Sequence, residues 1–154
     1  MEEILGNVYC LLESLYGKAL SDYLWGYDCN TQDYTLELHY NQFGVIALFS
    51  ALIIPPIYYY LWNPVRHQQI KFWGLMIATG LFNFAFAYFM LKSDLDNGLI
   101  GDCLLYDSQG NQVIDSISIV MFGIVDFIFA STLFFLTSVA IFKWGSKAVK
   151  HYPF

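Results

Sequence analysis

Three stretches of this chain, 43–62, 72–91 and 117–142, are almost free of acids and bases. The first two have none, and the third has only Asp126. A helix of roughly 20 such residues, rising 1.5 Å per residue, matches a hydrocarbon core of about 30 Å. A chain of 154 residues has no soluble interior large enough for three helices that are apolar on every side. The charged fraction, 13%, is about half that of an ordinary soluble domain, while 57% of residues are hydrophobic. The expected fold class is therefore an all-α integral membrane protein in a single transmembrane domain spanning 1–154, with the lipid bilayer as its first partner.

Charge placement gives an orientation. Before residue 43 there are seven acids against Lys18, and 92–116 has five acids against Lys92. The connector 63–71 has Arg66 and Lys71 and no acid, and the tail 143–154 has Lys143, Lys147 and Lys150 and no acid. Basic residues collect on the cytoplasmic side. This predicts a cytoplasmic loop at 63–71, a cytoplasmic tail and outer segments at 27–42 and 92–116. The chain would sit in the plasma membrane, or the inner membrane if bacterial. Trp62, Trp73, Trp144 and Tyr58 to Tyr60 suit the headgroup layer at the cytoplasmic ends. The phenylalanines of FIF and LFF in the last stretch suit lipid.

Residues 3–26 are different. On a helical wheel Leu5, Val8, Leu12, Leu15, Tyr16, Ala19 and Tyr23 fall on one side. Asn7, Cys10, Glu13, Ser14, Lys18 and Ser21 fall on the other. Such a helix can lie in the interface or span; its length and its end at Trp25 and Tyr27 favour a fourth, amphipathic span whose N-terminus is also cytoplasmic. The whole is then a four-helix transmembrane bundle with helices at about 3–26, 43–62, 72–91 and 117–142. Tyr34 to Tyr40 alternate as a strand does, and LLYDSQGNQVI has the look of a hairpin. Together the outer segments are expected to form a small cap. Cys29 and Cys103 both fall on the outer, oxidising side, which predicts a disulfide between them.

Lys18, Asn83 and Asp126 come to similar depths, about 10–12 Å below the outer ends of their helices. A lone carboxylate there costs a few kcal/mol, so it is expected to pair with Lys18 or Asn83, or to join a polar lining. Gly80 and Ala87 on the third helix, and Gly123, Ala130 and Thr137 on the fourth, mark faces for close packing. Pro55 and Pro56 predict a kink and carbonyls that need partners elsewhere.

No motif points to catalysis. His39, His67 and His151 lie in separate segments, and nucleotide, hydrolase, CxxC and metalloprotease patterns are missing from the sequence. The chain reads as neither enzyme nor metalloprotein, with no cofactor, and its net charge of −6 argues against nucleic acid. Of three function classes, a transporter is disfavoured because the chain has neither an inverted repeat nor enough length, which leaves two. One is an oligomeric channel or pore, an ion-transport assembly in which copies of the first helix line a lumen with Asn7, Glu13, Ser14, Lys18 and Ser21. The other is a non-conducting scaffold or assembly subunit that binds a partner membrane protein through the polar face of that helix.

Overall fold

The computed structural model describes residues 2–29, 31–35, 39–62, 68–107 and 109–142. Elements run α1 (Glu2–Cys10), α2 (Glu13–Tyr16), α3 (Lys18–Leu24), β1 (Tyr27–Asp28), β2 (Asp33–Tyr34), α4 (His39–Pro56), α5 (Gln68–Asp96), α6 (Asp102–Leu105) and α7 (Ser116–Thr137). α4 continues as a π-helix over Ile57–Trp62, and α7 does so over Ser138–Phe142. Three helices are long and apolar enough to cross a membrane: His39–Tyr60, Gln69–Asp96 and Ser116–Ala140. The fold is mostly helical, with one small two-stranded sheet and a disulfide between Cys29 and Cys103.

Each long helix outruns its apolar stretch, because hydropathy measures the thickness of oil while backbone caps decide where a helix stops. α5 passes residue 91 and ends at Gly98, whose φ of 67° suits glycine. There Leu99 N donates to Asp94 O at 2.9 Å and Gly98 N to Leu95 O at 3.2 Å, a Schellman closure. α7 begins at Ser116 because Asp115 caps it: Ser118 N donates to Asp115 Oδ1 at 2.8 Å. That N–H holds the Asp115 carboxyl below its ordinary range, and the Ser118 hydroxyl adds to the effect.

The stretch expected as one helix over 3–26 is three shorter helices. Leu11 and Leu12 form a turn between α1 and α2. Gly17, at φ 93° and ψ 150°, ends α2 and starts α3. No other residue type adopts that conformation cheaply, and a wheel drawn through it mixes two faces.

The described residues divide into two compact units, one within 2–45 and 84–125 and the other within 46–83 and 126–142. In the first, Tyr9, Tyr16, Tyr40, Phe43 and Phe122 form a fully buried aromatic core. Phe122 has its ring 5.7 Å from Tyr9, 5.3 Å from Tyr16 and 5.2 Å from Phe43. β1 pairs antiparallel with β2, Tyr27 against Tyr34 and Asp28 against Asp33. The strand expected over 34–40 is limited to this pair: His39 and Tyr40 already belong to α4, and 36–38 lie outside the described residues. The expected hairpin forms between Leu105 and Val113, closed by a bridge between Tyr106 and Gln112 with Gly110 at φ 78°.

In the second unit Tyr58, Tyr59, Phe72 and Phe134 make the core. Tyr58 and Tyr59 are thus buried, and only Tyr60 of the three points outward. Phe134 is buried as well. The large hydrophobic side chains that α7 exposes are Ile117, Met121, Ile124, Ile128 and Leu136, none of them aromatic. The small residues do bring helices close. A Cβ on Gly80 would lie 2.5 Å from Ser131 Oγ and 2.7 Å from the Phe127 ring, so only glycine fits there.

Pro55 removes the N–H that would have bonded Ala51 O, four residues back. Thr137 Oγ1 reaches that carbonyl at 2.8 Å, sharing its one proton with Leu133 O of its own helix at 2.8 Å. The orphan created by proline on one helix is met by a hydroxyl from another. Just past Pro56 the chain widens into the π-helix, the usual accommodation of a broken ladder.

Candidate functional site

The first segment turns a different side inward from the one its wheel suggested. Gly6, Tyr9, Tyr16, Leu20, Ser21, Tyr23 and Leu24 are buried, whereas Val8, Leu11, Leu12 and Leu15 are exposed, Leu11 at 79%. Gly6 is buried because the Trp25 ring lies where its Cβ would be, 2.5 Å away.

A chain of polar contacts threads this interior. Trp25 Nε1 donates to Cys10 Sγ at 3.1 Å, and Cys10 Sγ lies 3.9 Å from Ser21 Oγ. Tyr40 OH donates to Ser21 Oγ at 3.0 Å and lies 2.7 Å from Tyr16 OH, which reaches Tyr9 O at 3.2 Å. Each phenol has one proton, so Tyr16 serves Tyr40 or the Tyr9 carbonyl, not both. Buried polar atoms without partners would cost about 1–3 kcal/mol each, and here each finds one. The network joins α1, α2, α3 and α4 within the first unit.

Of the residues expected to line a lumen, Asn7, Ser14 and Lys18 are exposed and Glu13 is half-buried. Ser21 is buried, held by Tyr40. Lys18 is exposed in the first unit, while Asn83 and Asp126 are fully buried in the second. Asn83 Nδ2 donates to Ser50 Oγ at 3.1 Å and to Thr79 O at 2.9 Å, and its Oδ1 has no hydrogen-bond partner. The tyrosines were the missed residues. Tyr9, Tyr16 and Tyr23 stand seven apart, all three buried, and that spacing was a signal in plain view.

The disulfide borders a cleft of about 550 Å³ whose walls include Tyr23, Tyr27, Asp28, His39 and Asp102. Tyr23 stacks on His39 at 4.9 Å and donates to Asp94 Oδ2 at 3.0 Å. Nearby, Tyr34 OH donates to Asp22 Oδ1 at 3.2 Å. Lost solvation first, and the Asp22 charge second, push that phenol's pKa up. Among the described residues, no three His, Cys, Asp or Glu side chains stand close enough to hold a metal ion. No family model, curated protein or solved structure matches the chain.

Proposed function

We propose that the chain is a non-conducting membrane subunit that docks a second membrane protein through the outward arc of its first segment. On this reading the segment crosses the bilayer as a fourth span. Both termini lie in the cytoplasm of a plasma or bacterial inner membrane, in keeping with the basic loop and tail. One observation carries the proposal: Asn7, Leu11, Ser14, Leu15 and Lys18 are all exposed on one short segment. Lipid suits the leucines and water suits the polar three, so a surface presenting both together calls for a protein neighbour. The fitting partner is a transmembrane helix with a carboxylate or amide at the level of Lys18. The breaks at 11–12 and at Gly17, and the burial of Ser21, favour docking over a continuous pore wall.

The channel reading retains one supporting feature. Asn7, Ser14 and Lys18 are seven and four residues apart and would align on an unbroken helix, so copies in a ring would share a wet axis. Photo-crosslinkers at Leu11 and Ser14, with Phe82 on α5 as a lipid-facing control, separate the two in native membranes. Docking predicts one heterologous adduct from both first-segment positions, lost in Lys18→Glu and never formed from Phe82. Adducts only between copies of this chain, with bilayer currents blocked by Ser14→Trp, would overturn docking in favour of the channel. Topology is checked separately: an impermeant thiol reagent on intact cells should label Gln109→Cys.

A further inference from the structure

The cleft beside the disulfide lies wholly within the first unit, and its two acids stand in matching places. Asp28 immediately precedes Cys29, and Asp102 immediately precedes Cys103. The cysteine Cα atoms are 5.9 Å apart, and neighbouring Cα atoms along a chain about 3.8 Å, so those of Asp28 and Asp102 are at most about 13.5 Å apart. The bond thus holds together two carboxylates that are distant in sequence and line one cleft. Local structure fixes each backbone. β1 pairs Asp28 with Asp33, and Thr31 Oγ1 donates to Asp28 Oδ2 at 3.3 Å. Asp102 opens α6, where Tyr106 N donates to its carbonyl at 3.1 Å. A Cβ on Gly101, just before it, would strike Cys29 Sγ, so glycine lets the two segments close together.

Between the acids the wall is largely aromatic and aliphatic. Tyr27 is half-buried, Leu99 is exposed, and the buried Tyr23 has His39 stacked on it at 4.9 Å. Among the described residues, the wall holds two carboxylates and no lysine or arginine. Lys92, on α5, is paired with Asp96 at 2.7 Å. A cleft of this size falls within the range of about 300–1,000 Å³ that takes small molecules. Carboxylates and aromatic rings in one wall draw cations. A metal ion asks for several hard ligands at once, and no three His, Cys, Asp or Glu side chains among the described residues come that close. An ammonium group needs only one carboxylate and accepts a ring beside it. A phospholipid headgroup would bring its phosphate against two carboxylates, which repel it. These conditions select a free organic cation.

We propose that this cleft binds a short organic diamine. Asp28 and Asp102 each take one ammonium group, and the methylene chain between the two packs on Tyr27 and Leu99. The Cys29–Cys103 bond sets the spacing of the carboxylates in advance, so the ligand does not have to order the two segments itself. A carboxylate has room for several donors on its two oxygens, so the bond from Thr31 to Asp28 is compatible with an ammonium on the same group.

The test titrates putrescine, a four-carbon diamine, into the full chain in a nonionic detergent at constant ionic strength. Binding is followed by saturation-transfer NMR, with protein-free micelles as the blank. Saturable binding is expected, and n-butylamine, which has one ammonium group, should bind about tenfold more weakly, the worth of one hydrogen-bonded charge. Asp28→Asn and Asp102→Asn should each weaken putrescine about tenfold. Asp96→Asn removes an acid outside the cleft wall and should change the affinity less than about twofold, because exposed charges at a distance are screened by salt. Reduction of the disulfide should weaken binding too, since the spacing is then no longer fixed. Should Asp28→Asn fail to fold, Asp102→Asn together with the two amines on the unaltered chain decides the matter. Equal affinities for putrescine and n-butylamine, putrescine binding unmoved in Asp102→Asn, or an affinity untouched by reduction would overturn the assignment. These readouts make no use of a partner protein, so the docking proposal stands or falls apart from them.

Discussion

Thr137→Val tests how this fold repairs its own proline. The substitution keeps shape and removes only the hydroxyl that meets Ala51 O at 2.8 Å. Inside membranes such interhelical bonds average about 0.6 kcal/mol and reach about 1.7. Stranding a buried carbonyl adds toward the upper end, since a lost partner costs about 1–3 kcal/mol. A loss of about 1–2 kcal/mol is expected, a factor of roughly 5–30 in the folding equilibrium. The decisive measurement is the same substitution in a Pro55→Ala background. Alanine restores the N–H at position 55, Ala51 O recovers its ordinary helical donor, and Thr137→Val should then cost about 0.5 kcal/mol or less. The Thr137 bond to Leu133 O within α7 is lost equally in both backgrounds and cancels in the comparison. Reversible unfolding in mixed micelles of rising SDS fraction, followed by circular dichroism, gives all four corners of the cycle. Additivity within about 0.3–0.5 kcal/mol would refute the reasoning, because independent sites add. So would an equal loss in Thr137→Ser, which keeps the donor.

Three further outcomes are expected. Tyr16→Phe and Tyr40→Phe should each destabilise by about 1–2 kcal/mol, and together by less than their sum, because their hydroxyls are 2.7 Å apart and share a proton network; unfolding of the single and double variants checks it. Gly101→Ala should raise the fraction of free thiol in freshly extracted protein, read by alkylation and mass, because the new Cβ meets Cys29 Sγ. Asp115→Ala should cost about 1 kcal/mol as a lost helix cap. The Asp115 carboxyl lies below its ordinary 3.8 in the folded chain, so its charged contribution is complete above that value and fades as pH falls through the lower folded one. Asp115→Asn caps without titrating, so unfolding midpoints of the two proteins should run parallel above pH 5 and converge or cross only below about pH 3.8.

The three long helices were legible because a bilayer asks for one thing, a run of oil-loving side chains of a given length, and 43–62, 72–91 and 117–142 supply it. The pairing of Cys29 with Cys103 was legible from sidedness alone. The first segment resisted because its wheel assumed one unbroken helix, whereas Gly17 at φ 93° resets the phase. Tyrosine compounded the difficulty: counted as apolar, Tyr9, Tyr16 and Tyr40 nevertheless use their hydroxyls to keep Ser21 indoors. A buried serine and an exposed leucine on the same segment look like errors to a hydropathy scale. They become intelligible once the phenols are treated as both filler and hydrogen-bond partner. Asp126 and Asn83 were legible as polar residues at depth, and both are fully buried.

The bond between Cys29 and Cys103 also has a consequence in time. Two of the long apolar helices, His39–Tyr60 and Gln69–Asp96, lie between the two cysteines. If both cross a bilayer, as their length and composition allow, an even number of crossings returns the chain to the side it left, and the two sulfurs can meet only after both helices have gone through. With 74 residues still to be made, and synthesis at about 5–20 residues per second, Cys29 waits some 4–15 s as a lone thiol before its partner arrives. During that interval it is open to the wrong sulfur, on a neighbouring copy or a small thiol. Closure would thus record that insertion ran through the second apolar helix, and a machinery that seals the bond would be inspecting topology rather than packing.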